Sequence, residues 1–369
     1  MTRPIHPLTG ADPVTLARLF AANGAPAPRH WPAAAGMTAA SLARIPVTAA
    51  ELACTAAVRG RASRQPPVII LGHWRSGTTH LFNLLSGAPG FTYATPIPAG
   101  LPWEFLTLGR ALRPLLRRAI PSERHIDPME VTETAPQEDE IGLAAMTRPS
   151  YYHGIYFPTH LREHMRAGLF FDGYGEAERA RWRRALHHYT DKVSMAGGGR
   201  RVLIKNPAHT AHVGELLKIW PDAPIVHIVR NPYHVYSSTQ RMFGDLLDML
   251  ALQGHEPAAV DDVINTTYPR MMDALLADTA GLPARQYVQV SFEALEAAPL
   301  DTVARVADRL ELGERDAMLT AARTHLDRVA RYAKRTRSVS AATIAAVNTH
   351  WARHRDAWGY PRWTGKEGA

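Results

Sequence analysis

The sequence has one cysteine, Cys54, so it can hold neither an internal disulfide nor a cysteine-based zinc cluster. That usage suits a reducing cytoplasm, the compartment expected here. The first thirteen residues lack the continuous apolar run of a signal peptide. No stretch of about 18 apolar residues occurs, so no membrane span is expected. Internal repeats and long low-complexity tracts are also missing. The net charge is +8 and the pI near 9.7, yet there is no long basic tail, only short clusters at Arg181–Arg184 and Lys334–Arg337. Such a balance favours an anionic partner, whether nucleic acid, acidic membrane or phosphorylated cofactor, and the missing tail puts nucleic acid behind.

What is present is enough apolar material for a large core: 369 residues, 46% of them hydrophobic. Residues 1–60 are Ala-rich and read as short helices, such as 13–22 and 47–59, followed by a linker at Arg61–Pro67. Val68–Leu71 is a β-branched and aliphatic run ending at a glycine, the pattern of a buried parallel strand. Thr78–Ser86 follows with helical spacing of Leu81, Phe82, Leu84 and Leu85. From 91 to 196 the chain is irregular, aromatic and proline-broken, with helices expected near 103–118, 136–146, 159–167 and 175–195. Further strands are expected at Val202–Ile204, Ile225–Val229 and Tyr287–Val290. Helices should separate them at 209–219 and from 233 to roughly 280. Strands alternating with helices give an α/β fold with a P-loop-type central parallel sheet flanked by helices. Residues 1–65 read as a helical N-terminal extension. Residues 66–369 read as the α/β domain, with 91–196 a mostly helical substrate-side insertion.

The turn after the first strand reads Gly72-His73-Trp74-Arg75-Ser76-Gly77-Thr78-Thr79. Its two glycines have the spacing of the phosphate loop G-x-x-x-x-G-K-[ST], and Thr79 fills the hydroxyl position. Thr78 stands where the lysine belongs, and the cation has moved to Arg75. The backbone cradle survives this change, because Gly77 allows the turn and a helix N-terminus follows. A magnesium aspartate is also missing: the strand Ile225–Val229 ends in Arg230. The loop therefore reads as an anion cradle served by protein cations, with no metal expected. The histidine pairs His187 with His188, His209 with His212, and His160 with His164 lack a third ligand and read as ordinary histidines. Tyr151-Tyr152 and Phe170-Phe171 fit either core or an acceptor pocket.

A second motif, Arg230-Asn231-Pro232 with Ser238 eight residues after the arginine, suits a second anion. Together the two segments resemble the sulfotransferases that use 3′-phosphoadenosine 5′-phosphosulfate (PAPS). The resemblance is close over 66–88 and 200–243 and weaker at Ser291-Phe292-Glu293-Ala294-Leu295. It implies that Arg75, Ser76, Gly77, Thr78 and Thr79 hold the 5′-phosphosulfate. It further implies that Arg230 and Ser238 hold the 3′-phosphate, and that Phe292 lies near adenine. Lys205, in Ile204-Lys205-Asn206-Pro207, matches the family's lysine at a strand end. PAPS as donor and adenosine 3′,5′-bisphosphate (PAP) as product follow from the same resemblance.

Sulfuryl transfer needs cations for the leaving phosphate and a base for the acceptor's proton. Arg75 and Lys205 are the expected cations. For the base, Glu104 ranks first, His209 second and Glu138 third; the acidic run around Glu138 otherwise reads as a solvated helix face. The acceptor is expected to be a small-molecule or lipid-like hydroxyl or amine compound. A P-loop kinase or other nucleotide phosphotransferase, and a non-catalytic nucleotide-binding protein, are the alternatives.

Overall fold

The computed structural model describes residues 5–119, 132–256, 258–329 and 338–364. The cluster Lys334–Arg337 lies outside the described residues. The chain forms two compact units, each from three segments. Unit 1 takes Met1–Gln65, Thr92–Val202 and Gly244–Pro257; unit 2 takes Pro66–Phe91, Leu203–Phe243 and Ala258–Ala369.

The frame of unit 2 is a five-stranded sheet: β1 (Val68–Leu71), β2 (Phe91–Thr92), β3 (Arg201–Lys205), β4 (Ile225–Val229) and β5 (Tyr287–Ser291), in the order β2-β3-β1-β4-β5. β1 lies parallel to β3 and β4, and β4 parallel to β5. All four residues of β1 and all five of β4 are buried, as expected for strands covered on both faces. The register sets Ile70 beside Lys205 and Leu71 beside His227. Gly72, Asn206, Arg230 and Phe292 therefore follow the strands at their common carboxyl end. Ligands of open α/β sheets bind beyond the carboxyl ends of the strands.

The four expected strands all form. β2 was not anticipated, because two residues carry no alternation pattern. The expected helix over 103–118 is broken: residues 102–107 form turns, and only Leu108–Ala111 and Arg113–Ala119 are helical. The cause is local. The Glu51 carboxylate accepts from the backbone N–H groups of Leu106 (3.1 Å) and Thr107 (2.8 Å), which holds that stretch as a turn. The expected helix over 136–146 shrinks to Glu140–Leu143. The long stretch from 233 becomes two helices, Pro232–Leu250 and Ala258–Thr279.

Unit 1 is mostly helical, built on Pro13–Asn23, Trp31–Ala43, Ile45–Ala57, Leu161–Phe170 and Glu176–Ala196. Asp12 caps the first of these, accepting from Val14 N–H (2.9 Å) and Thr15 N–H (3.0 Å). No helix of the described residues is long and apolar enough to cross a membrane.

Candidate active site

The loop between β1 and the helix Thr78–Ser86 is held in an unusual backbone path. Gly72 has φ 150°, Arg75 φ 67° and Gly77 φ 102°. A turn bond from Ser76 N–H to His73 O (3.1 Å) places Arg75 in the left-handed region. A side chain there costs about 1 kcal/mol or more, and such strain clusters at ligand sites. Neighbouring groups fix the path. Gly72 N–H donates to Thr210 Oγ1 (2.9 Å), and Thr239 Oγ1 donates to Trp74 O (3.3 Å). A Cβ on Gly77 would lie 2.3 Å from Phe292 Cδ2, and one on Gly72 would lie 2.6 Å from Ile228 O. Inside this loop Ser76 is buried, and its Oγ has no hydrogen-bond partner. A buried hydroxyl left open beside a helix N-terminus is a donor ready for an anion.

Three cations surround the loop. Arg75 Nε donates to Ser238 Oγ (2.8 Å), and Arg230 Nη1 donates to the carbonyl of Arg75 (3.1 Å). The Arg230 guanidinium lies 4.0 Å from the centre of the Phe292 ring. Burial lowers its pKa first, and Glu296 partly opposes that shift. Lys205, buried at the end of β3, places Nζ 3.3 Å from Thr79 Oγ1. The two sequence motifs thus meet in one cluster of hydroxyls, backbone donors and cations. His209 follows in the short helix Pro207–Ala211, fully buried, with Nδ1 3.4 Å from His212 Nδ1.

The carboxylates belong to unit 1. Glu104 is buried, accepts a short bond from Thr48 Oγ1, and sets Oε2 3.3 Å from Arg44 Nε. Burial raises its pKa, while Thr48 and Arg44 pull it back. A second buried pair lies in the same unit, Lys192 Nζ to Glu51 Oε1 at 2.6 Å. Lys192 also donates to the carbonyls of Pro102 and Trp103, the two residues before Glu104, each at 2.8 Å. Glu138 is half-buried, and its neighbours Asp139 and Glu140 are buried. The acidic run is therefore no solvated face. Glu140 Oε1 accepts from Ser150 Oγ (2.7 Å), which anchors it inward.

A profile of the sulfotransferase family matches residues 66–316. The chain belongs to the sulfotransferase family. An omega-hydroxy-beta-dihydromenaquinone-9 sulfotransferase, Stf3, of Mycobacterium bovis is 29% identical over 299 residues, covering 81% of this chain and 76% of the relative. Its Mycobacterium tuberculosis counterpart matches equally. The crystal structure of sulfotransferase STF9 from Mycobacterium avium shares the fold, with a TM-score of 0.71 at 17% identity over 94% of this chain and 90% of that one. STF1 from Mycobacterium tuberculosis follows with a TM-score of 0.63 at 16% identity over the same shares.

In this sulfotransferase the cradle draws on residues that sequence reading passed over. Thr210 and Thr239 tie the loop down, and the only available signal was their nearness to the two motifs. Glu293 accepts from Asn231 N–H (3.0 Å) and from Tyr360 Oη (2.7 Å), joining the second motif to the C-terminal segment. Arg44, Glu51 and Lys192 were also missed. Arg44 and Glu51 are the only charged residues in a long Ala-rich stretch, which was a usable sign. Tyr151, Tyr152 and Phe171 are buried in ring-on-ring packing rather than open to a pocket. Among the described residues no three metal-ligating side chains gather.

Proposed function

We propose that this sulfotransferase takes PAPS as donor and sulfates a hydroxyl on a small, lipid-like acceptor. The contact between the two anion motifs carries the donor assignment. Arg75 and Arg230, far apart in sequence, are linked through Ser238 and the Arg75 carbonyl, which suits a nucleotide with phosphates at both ends of its ribose. The open Ser76 Oγ and the cradle that a Cβ would fill fit such a group. PAPS, when bound, supplies an activated sulfur–oxygen bond with PAP as the leaving group.

The chain's residues divide the work. Ser76, Gly77, Thr78 and Thr79 orient the anion through backbone and hydroxyl donors. Arg75 and Lys205 stabilise negative charge on the departing phosphate. Arg230 and Ser238 bind the 3′-phosphate, and Phe292 offers its ring to adenine. Glu104 accepts the acceptor's proton; its burial raises the carboxyl toward the range useful to a base. His209 ranks second and Glu138 third for that role. No metal is assigned.

The acceptor class is supported by the relative named for an omega-hydroxy-beta-dihydromenaquinone-9, a hydroxylated lipid-like compound. We assign acceptor recognition to the mostly helical insertion, 91–196, and the reaction to the cytoplasm, which suits the free, exposed thiol of Cys54.

The test is transfer of labelled sulfate from PAPS to a panel of hydroxylated lipids and small molecules, with PAP release measured in parallel. Transfer with PAP release is the expected result. Failure to bind PAP at all would remove the donor assignment. Activity abolished by a chelator would favour the kinase alternative.

A further inference from the structure

The helices Trp31–Ala43 and Ile45–Ala57 of unit 1 are amphipathic in reverse. Their inward stripe is Met37, Ser41, Arg44, Thr48, Glu51 and Thr55, in alternating steps of four and three residues, and only Met37 is apolar. The polar members are occupied inside. Ser41 Oγ donates to Ala11 O (2.7 Å), and Arg44 donates to Thr9 O (2.7 Å) and Ala11 O (2.8 Å). Thr48 donates to Glu104, and Glu51 pairs with Lys192.

The outward face is the reverse of an ordinary surface helix, which turns its apolar side to the core. Trp31, Leu42, Ile45 and Leu52 are 58%, 52%, 49% and 41% exposed, with alanines between them. From Trp31 to Val58 the only charged residues are Arg44 and Glu51, and both are buried. The exposed face therefore carries no charge over its whole length. Among the described residues, every large apolar side chain that is exposed lies in unit 1.

The rim has one sign. Arg29 precedes the pair, and Arg59, Arg61 and Arg64 follow it, all exposed. Arg59 reaches Asp191 only at 4.0 Å and stays 66% exposed. Between Asp12 and Glu104 the only acid is the buried Glu51. An apolar face with a tryptophan and a basic rim matches the interfacial layer of an anionic bilayer. A second copy fits worse. A two-fold contact in either helix orientation would bring arginines against arginines. Each helix is about 20 Å long, too short to span a bilayer.

We propose that the helix pair Trp31–Ala57 is a peripheral docking face for an anionic lipid surface. This stands apart from the donor and acceptor assignments. The test is flotation of the full chain with vesicles of phosphatidylcholine mixed with phosphatidylglycerol, against phosphatidylcholine alone. The variants are Leu42→Glu with Leu52→Glu, and Arg323→Glu as a control with the same change in net charge on an exposed helix of unit 2. Circular dichroism and PAP binding verify folding.

The wild type and the control are expected to float with the anionic vesicles. The double variant should bind at least about tenfold more weakly while folding normally. A wild type that stays at the bottom of the gradient overturns the proposal. So does a folded double variant that floats like the wild type. A solution dimer that the double variant splits, with vesicle binding unchanged, would assign the face to a second copy.

Discussion

Arg75 Nε donates to Ser238 Oγ over 2.8 Å, joining the first phosphate loop to the helix that follows β4. The bond fixes where the guanidinium sits beside the loop. Arg75→Ala should weaken PAP binding by about tenfold to a hundredfold, the range for charge-assisted hydrogen bonds. Arg75→Lys keeps the charge but loses the fork and should fall between. Isothermal titration with PAP checks both, and wild-type affinity in Arg75→Ala would remove Arg75 from the donor site.

Arg230 is proposed to read the 3′-phosphate. Arg230→Ala should lose at least about tenfold in affinity for PAP, yet change affinity for AMP by less than about threefold. Equal losses for the two nucleotides would place Arg230 elsewhere on the ligand.

The base assignment makes a pH prediction. Burial raises the Glu104 carboxyl, so kcat should climb with pH through a value above the ordinary carboxylate pKa of about 4.3. Glu104→Gln should remove that limb and lower kcat by about 10²–10⁴ with PAP affinity kept. His209→Asn should keep the limb. If instead His209→Asn abolishes it, His209 is the base.

Gly77→Ala tests the cradle. The alanine Cβ would meet Phe292 at 2.3 Å, on a backbone with φ 102°. The variant should lose about 1–3 kcal/mol of stability and bind PAP poorly. A thermal melt matching the wild type would show that the loop has another path.

Acid should destabilise the fold through its buried imidazoles. Burial lowers His73 and His164 to about 3, and His6, His188, His227 and His325 to about 4. In the unfolded chain each takes a proton near pH 6.5, so between pH 6.5 and about 4 the unfolded state binds more protons. Stability therefore falls as pH falls through that window. Thermal melts from pH 7.5 to 5 should show a declining Tm; a flat profile would contradict neutral burial of these groups.

Much of this was legible before any coordinates. The strands at 68–71 and 225–229 announced themselves because buried parallel strands are runs of β-branched and aliphatic residues, and the strand at 287–290 through the alternation of Val288 and Val290 with Gln289. The cradle was legible because Gly72, Arg75, Gly77 and Thr79 are close in sequence and their spacing is set by backbone geometry. The Arg75–Ser238 bond was not, because a contact between residues so far apart has no local signature. Glu104 could be singled out as an acid, but its partners Arg44 and Thr48 come from another segment. The helix expected over 103–118 failed for the same reason: a distant carboxylate, Glu51, holds part of the segment as turns.

The reversed polarity of the N-terminal helix pair bears on how the protein can be shortened. The family profile begins at residue 66, which invites a chain trimmed to that point. Such a chain would lose Arg44, Thr48 and Glu51 together. Glu104 and Lys192 would then lose their buried charged partners, and removing one partner of a buried ion pair costs about 3–5 kcal/mol. The start of the matched profile marks only where the pattern becomes recognisable, and the smallest active enzyme should begin well upstream of it.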